Sequence, residues 1–147
     1  MPKRGGRVLV VSDDAARASM LVAALAADGH DLDAVLDVAS ACERLRAGGP
    51  EVVITDFTAP DFGVLAVLRC AARAEPPARV VCRFADGGRA TARTDLAIRE
   101  AAFAWIDGPR GTDEVLAATR TAVAARHALD GWTADPRPVQ AAESQSA

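Results

Sequence analysis

Aromatic side chains are scarce in this sequence, and tyrosine is absent. Two Trp and four Phe are the only aromatic residues among 147, and Ala, Val and Leu carry most of the apolar content. A core with so few rings has to be filled by closely packed aliphatic side chains. The length suits one domain of ordinary size. We therefore expect a single domain with an aliphatic, alanine-lined core.

Cysteine is also scarce, and its placement excludes the common cysteine-based sites. Cys42, Cys70 and Cys82 lie far apart within apolar segments. No Cys-x-x-Cys or Cys/His pairing indicates a zinc or redox centre. We interpret all three as reduced thiols in the core.

The sequence lacks both a concentration of positive charge and a long hydrophobic run. Its net charge is -3, and the arginines are scattered among acidic residues. Nucleic-acid and membrane binding need a concentrated positive face, so neither partner is expected. No segment approaches the roughly 18 apolar residues of a spanning helix, and the first six residues lack the apolar stretch of a signal peptide. A cytoplasmic location is the expectation.

The apolar segments that are present alternate between strand length and helical spacing. Strands apolar on both faces indicate a parallel sheet covered by helices on both sides. The prediction is a doubly wound five-stranded α/β fold with strand order 2-1-3-4-5. The predicted strands are 7–11, 31–35, 51–55, 79–84 and 103–106, and the predicted helices are 13–29, 40–47, 62–74, 87–101 and 112–129.

The two ends of the chain differ in composition from this alternating region. Residues 1–6 are expected to be a flexible N-terminus and residues 7–129 to form the domain. Residues 130–147 are rich in Pro, Ser, Gln and Ala and lack apolar periodicity. Such a segment buries too little apolar surface to offset the entropy lost on ordering. We predict a disordered tail there, with Trp132 as a candidate anchor.

Acidic residues follow the first and third predicted strands. Asp13 and Asp14 come after Ser12 in the first case, and Asp56 follows Thr55 in the second. In open parallel sheets, ligands bind beyond the carboxyl ends of the strands, where the winding direction reverses. Carboxylate oxygens suit Mg²⁺, and a cation would relieve their mutual repulsion. The pattern predicts a divalent ion bridging Asp13 and Asp56, with Asp56 as the nucleophile that accepts a phosphoryl group.

Each acidic residue also has an ordinary structural interpretation. Asp13 and Asp14 suit the N-terminal cap of the following helix. Asp56 could be a turn former just beyond a buried strand. Both interpretations stay open at this point.

Three segments, in the right order, resemble the response-regulator receiver family. Residues 8–14 (VLVVSDD) are similar to its first strand and acidic cluster, and residues 50–60 (PEVVITDFTAP) to its acceptor strand and loop. Residues 105–109 (WIDGP) resemble the aromatic-to-Lys-Pro motif of its fifth strand. The resemblance spans about residues 7–129 and implies a receiver fold. It also implies Asp56 as phosphoryl acceptor, and Asp13, Asp56 and the backbone carbonyl of Thr58 as Mg²⁺ ligands, with Asp14 as a further ligand through water.

Several positions depart from the family pattern. Ser12 stands at its first acidic position, and Arg83 or Phe84 stands where it has a hydroxyl residue. Gly108 replaces its Lys, whereas Trp105 matches its switch aromatic. We interpret Arg83 as a structural or surface residue rather than a substitute for the Lys, and Trp105 equally well as core filling. Weak Mg²⁺ binding and little structural response to phosphorylation follow, because the contacts that would shift the population are missing.

These features predict a stand-alone atypical receiver in a two-component phosphorelay. It would accept a phosphoryl group on Asp56 from a histidine kinase or phosphotransfer protein, or dock to one. The alternative is a phosphorylation-independent adaptor that presents the face formed by the fourth helix, fifth strand and fifth helix, which is also the candidate homodimer face.

An enzyme of the same layout is disfavoured. A flavin-binding protein would need a glycine- or hydroxyl-rich phosphate loop after the first strand, and this loop is acidic. A phosphatase with an Asp nucleophile would need a second acid where Thr58 stands. We expect no enzymatic activity.

Overall fold

A computed structural model describes residues 5–58, 62–85, 92–107 and 111–134. Strands and helices alternate strictly along the described chain. The strands are β1 (Arg7–Ser12), β2 (Asp31–Val35), β3 (Val52–Phe57), β4 (Arg79–Phe84) and β5 (Ala104–Asp107), and the helices are α1 (Ala15–Ala27), α2 (Val38–Ala47), α3 (Phe62–Arg73), α4 (Ala92–Ala101) and α5 (Thr112–Ala134).

The five strands form one parallel sheet in the order β2-β1-β3-β4-β5. The predicted doubly wound α/β fold and its strand order are thus confirmed. Because successive side chains of a strand point to opposite faces, the sheet carries two buried apolar layers. One layer packs against α1 and α5, and the other packs against α2, α3 and α4.

Helix α1 begins after a capping aspartate. Asp14 is the N-cap, and its Oδ1 accepts a hydrogen bond from the Arg17 backbone N–H at 2.9 Å. That bond is the main reason why the pKa of Asp14 lies below its usual value. The cap satisfies one of the amide groups that a helix leaves unpaired at its start. Of the two predicted caps, Asp14 performs the role, and Asp13 is free to point toward the end of the sheet.

Helix α5 is longer than predicted and ends at Ala134. The predicted boundary between domain and tail, at residues 129 and 130, falls inside it. The interpretation of residues 130–134 as a disordered tail therefore needs correction. Residues 130–134 (DGWTA) include poor helix formers such as Gly, so neither apolar periodicity nor propensity indicated this extension, which continues a helix already formed upstream. Residues 135–147 lie outside the described residues.

The cysteine thiols lie in or beside the core, as predicted. Cys42 and Cys82 are buried, Cys70 is partly buried, and none of them forms a disulfide. Burial raises the pKa of Cys82 to about 11, and it does the same for Cys42, helped by the neighbouring Cys70. Thiols with such pKa values are poor nucleophiles at neutral pH. Within the described residues, no helix is long and apolar enough to cross a bilayer.

His30 is buried between α1 and β2. Its Nδ1 accepts a hydrogen bond from the Gly6 backbone N–H at 3.1 Å. Burial lowers the pKa of His30 and the carboxylates of Asp28 and Glu51 oppose this shift, whereas the charge of Arg120 reinforces it. A ring that accepts a backbone hydrogen bond through Nδ1 has to be neutral, with its proton on Nε2.

The lowered pKa of His30 predicts a loss of stability on acidification. Below about pH 6.5 the unfolded chain takes up a proton that the folded chain resists, so stability falls with pH by at most about 1.4 kcal/mol per unit for one group. Urea unfolding between about pH 7 and pH 5 should show this decline, and His30→Gln should flatten it. An unchanged decline in His30→Gln would assign it to another group.

Candidate functional site

The carboxyl ends of the three central strands place three polar residues in one row. Ser12 of β1 is the register partner of Asp56 in β3, and Asp56 is the partner of Arg83 in β4. Paired residues of neighbouring strands point to the same face of a sheet. All three residues therefore face the side that α1 and α5 cover, and their side chains meet.

Asp56 is fully buried, with 0 % of its side chain exposed. Its Oδ1 accepts a hydrogen bond from Arg83 Nε at 2.7 Å, and Arg83 is only 5 % exposed. Its Oδ2 accepts from Ser12 Oγ and from Arg17 Nε, each at 3.3 Å. A carboxylate removed from water is tolerated only when paired and hydrogen-bonded in this way. Because Asp56 lies within β3 rather than after it, the turn-former interpretation is wrong.

Arg17, from the first turn of α1, connects this row to the neighbouring loops. Its Nη2 donates a short hydrogen bond to Asp13 Oδ1 and another to Thr58 Oγ1 at 3.3 Å. Its Nη1 lies 3.6 Å from Asp14 Oδ2. Arg17 Nε also donates to Asp56 of β3. One guanidinium thus contacts Asp13 and Asp14 after β1, Asp56 within β3, and Thr58 after β3.

Asp13 is held from two sides. Thr58 donates its backbone N–H to Asp13 Oδ2 at 3.0 Å and its hydroxyl to Oδ1 at 3.2 Å. Arg17 occupies Oδ1 as well. Burial alone would lower the pKa of Arg17, but the carboxylates of Asp56 and Asp13 outweigh it and raise that pKa above its ordinary value. Arg17 is therefore permanently charged.

The structure brings together the residues predicted as metal ligands, but around a guanidinium. Asp13, Asp14, Asp56 and Thr58 all lie at this end of the sheet, and every carboxylate oxygen of Asp13 and Asp56 faces a hydrogen-bond donor. Within the described part of the chain, no three His, Cys, Asp or Glu side chains form a group able to hold a metal ion. In this arrangement the residues do not fit Mg²⁺, which needs those oxygens for itself.

The row formed by Ser12, Asp56 and Arg83 contains two of the positions that depart from the family pattern, Ser12 and Arg83. Arg83 was predicted to be a structural or a surface residue. Its buried side chain faces Asp56, which excludes the surface position. Phe84 points to the opposite face, where its ring packs against Trp105 with 4.5 Å between centroids. Trp105 is partly buried, and Arg99 of α4 stacks over it at 4.0 Å. Gly108 lies outside the described residues.

Arg17 is the residue that sequence reasoning missed. It stands four positions after Asp13 and three after Asp14. The first turn of α1, which begins just after Asp14, therefore brings its side chain beside both carboxylates. Residues three and four apart share one face of a helix. This spacing was visible in the sequence, whereas the contact with Asp56, 39 positions away, depends on the sheet.

Comparisons of the three-dimensional structure find solved structures of the same fold. A receiver domain protein (CheY-like) from Methanospirillum hungatei is 17% identical, with a TM-score of 0.70 over 84% of this chain and 97% of its own. The receiver domain of a putative Luxo repressor protein from Vibrio parahaemolyticus is 18% identical, with a TM-score of 0.72 over 86% and 95%. This chain has the receiver fold. No protein-family model and no curated protein sequence matches it.

The response regulator TrrA from Thermotoga maritima, 21% identical, was solved in complex with Mg²⁺ and BeF. Its TM-score is 0.65 over 80% of this chain and 98% of its own. The likeness to these three structures establishes the fold of this chain.

Proposed function

We propose that this protein is a signalling domain of receiver fold that acts by docking to a protein partner without phosphorylation of Asp56. The observation that carries the proposal is the double arginine clamp on Asp56. Arg83 occupies one carboxylate oxygen at 2.7 Å and Arg17 the other at 3.3 Å. A nucleophile must present a free oxygen to the incoming phosphorus, and neither oxygen of this buried carboxylate is free.

The clamp also removes the usual reason for a conformational response. A phosphoryl group shifts a population only through contacts that differ between two states. Here the positively charged Arg83 is already paired with Asp56. The neighbouring Phe84 is packed into the core on the other face of the sheet. The end of β4 therefore offers no hydroxyl that could move toward a phosphoryl group.

The docking face that we favour is the one predicted, formed by α4, β5 and α5. In its described part, Leu96 of α4 is 57% exposed and so is accessible to a partner. The stacked pair of Arg99 and Trp105 lies on the same side of the sheet. Aromatic and arginine side chains are enriched at protein interfaces. Histidine kinases and phosphotransfer proteins are the expected partners, and a second copy of the chain is the alternative occupant.

Phosphoryl acceptance on Asp56 is the second candidate function. It is favoured by the convergence of Asp13, Asp56 and Thr58 at the carboxyl ends of the strands. For this chemistry Arg17 would have to leave Asp13 and Asp56 before Mg²⁺ could bind, and Arg83 would have to release Asp56 Oδ1. Arg17, 23% exposed, could swing outward, but Arg83 is enclosed.

The two candidates differ in a direct chemical test. Wild type and Asp56→Asn are incubated with acetyl phosphate and Mg²⁺ and then analysed by intact-mass spectrometry and Phos-tag gels. We expect no added phosphoryl mass on the wild type, because Arg83 and Arg17 block the nucleophile. A phosphoryl mass on the wild type that Asp56→Asn abolishes would replace the proposal with the second candidate.

Docking is tested separately with purified kinases and phosphotransfer proteins. Binding is measured by calorimetry for the wild type, Asp56→Asn and Leu96→Glu. We expect to find a partner that binds Leu96→Glu at least about tenfold more weakly than it binds the wild type. An unpaired charge buried in the interface costs more than about 1.4 kcal/mol. No change with Leu96→Glu would place the docking face elsewhere.

A further inference from the structure

We propose that the Arg17 guanidinium is a built-in cation that takes the place of a divalent metal ion, so that Mg²⁺ binds at Asp13 and Asp56 only after Arg17 is removed. The inference concerns a property of the domain alone and stands apart from the identity of its docking partner. Four contacts of one side chain carry it.

The first step is the position of the guanidinium. Its nitrogens contact Asp13, Asp14, Asp56 and Thr58, which are the residues at this end of the sheet with oxygen atoms suited to a hard cation. These contacts come from two segments of the chain, one that follows β1 and one at the end of β3. Bridging carboxylates from separate segments is what a bound divalent ion does in a protein.

The Arg17 guanidinium leaves no room for Mg²⁺ between Asp13 and Asp56. Mg²⁺ requires oxygen ligands at about 2.0–2.1 Å in octahedral arrangement. An ion at that distance from both Asp13 Oδ1 and Asp56 Oδ2 would overlap Arg17, whose nitrogens lie within 3.3 Å of both oxygens. The guanidinium and the ion therefore cannot share the site.

The third step is the charge count. Two guanidinium charges, on Arg17 and Arg83, face two carboxylates, on Asp13 and Asp56. The remaining acid, Asp14, accepts a hydrogen bond from the first turn of α1, where the helix end is positively polarised. With Asp14 counted, three carboxylates face these two guanidinium groups, so the cluster has a formal charge of only -1, and added Mg²⁺ would be repelled by both arginines.

The guanidinium is covalently attached to the protein beside the site. Arg17 is held on α1 by the capping bond of its own backbone to Asp14, so its side chain starts from a fixed point beside the site. A tethered cation competes at a high effective concentration, whereas free Mg²⁺ has to bind from solution. Its planar fork also suits several carboxylate oxygens at once, which a lysine in its place would not match.

The test measures Mg²⁺ binding without any phosphodonor or partner protein. Isothermal calorimetry and thermal unfolding are run with MgCl₂ up to about 10 mM on the wild type, Arg17→Ala and Arg17→Gln. We expect no saturable heat and no Mg²⁺-dependent rise in Tm for the wild type. Both Arg17 variants should bind Mg²⁺ saturably and gain Tm with it, and adding Asp13→Asn should abolish the gain.

The matched control is Arg120→Ala. Arg120 also bridges to a carboxylate, Asp28, but at the opposite end of the sheet. This variant should remain as insensitive to Mg²⁺ as the wild type. Arg17→Gln, which keeps the aliphatic stem and a polar end without the charge, preserves the test if Arg17→Ala does not fold.

Two outcomes would overturn the inference. One is a wild type whose Tm rises with Mg²⁺ and loses the rise in Asp13→Asn. The other is a folded Arg17→Gln or Arg17→Ala that still takes up no Mg²⁺. Neither outcome decides whether partner docking needs phosphorylation, so failure here and failure of the proposed function can be distinguished.

Discussion

Arg83→Met should lower the free energy of unfolding by about 3 kcal/mol, the lower end of the range for breaking a buried ion pair. The substitution leaves Asp56 fully buried without its closest partner, the Arg83 Nε at 2.7 Å. Arg17 and Ser12 still compensate part of the charge, which keeps the loss from being larger. Urea unfolding, followed by circular dichroism, measures the change.

A double-mutant cycle separates the ion pair from other effects of the substitution. Asp56→Asn alone should destabilise the protein by a similar amount, because Arg83 then loses its buried partner. The combined Asp56→Asn/Arg83→Met variant should lose at least about 1 kcal/mol less than the sum of the two. Arg120→Met, which breaks an exposed ion pair with Asp28, should change stability far less. Strictly additive losses would contradict a direct interaction between Asp56 and Arg83.

Phe84→Ala should cost about 3–5 kcal/mol, because it deletes a large side chain from a closely packed layer. Phe84 is fully buried and contacts the Trp105 ring at 4.5 Å between centroids. The emission of Trp105 should shift to longer wavelength as water reaches the ring. Guanidinium unfolding and fluorescence spectra, both in a Trp132→Phe background, measure the two effects.

The matched variant for this position is Phe84→Leu. It keeps most of the buried volume and should cost less than about 1.5 kcal/mol. Equal losses for Phe84→Ala and Phe84→Leu would mean that the ring does not fill the layer tightly. The comparison also tests whether the end of β4 is a rigid part of the core, as the proposed function requires.

The clamp on Asp56 changes how a receiver fold can transmit a signal. An acceptor that is closed by two arginines holds β1, β3, β4 and α1 together at one end of the sheet. Such a domain would present one conformation to its partner, and regulation would come from how much partner or domain is present. This view rests on the proposed function and fails with it.

Secondary structure and fold were predictable because they depend on local patterns. Apolar runs of strand length alternate with residues at helical spacing, and this alternation leaves few topologies open. The strand Arg79–Phe84 and the strand Asp31–Val35 were predicted with the bounds that the structure gives them. The end of α5 was not, because a helix can continue after the apolar pattern that reveals it has ended.

The sequence by itself determined that Asp13 and Asp56 meet, because carboxyl ends of neighbouring parallel strands lie at one edge of the sheet. It did not determine what stands between them. Metal ions and guanidinium groups satisfy the same carboxylates, and the choice depends on where the Arg17 and Arg83 side chains point. Those directions follow from strand register and from the rotation of α1, which are set by packing across the whole domain. Only the tertiary structure could therefore show that the guanidinium groups of Arg17 and Arg83 contact these carboxylates.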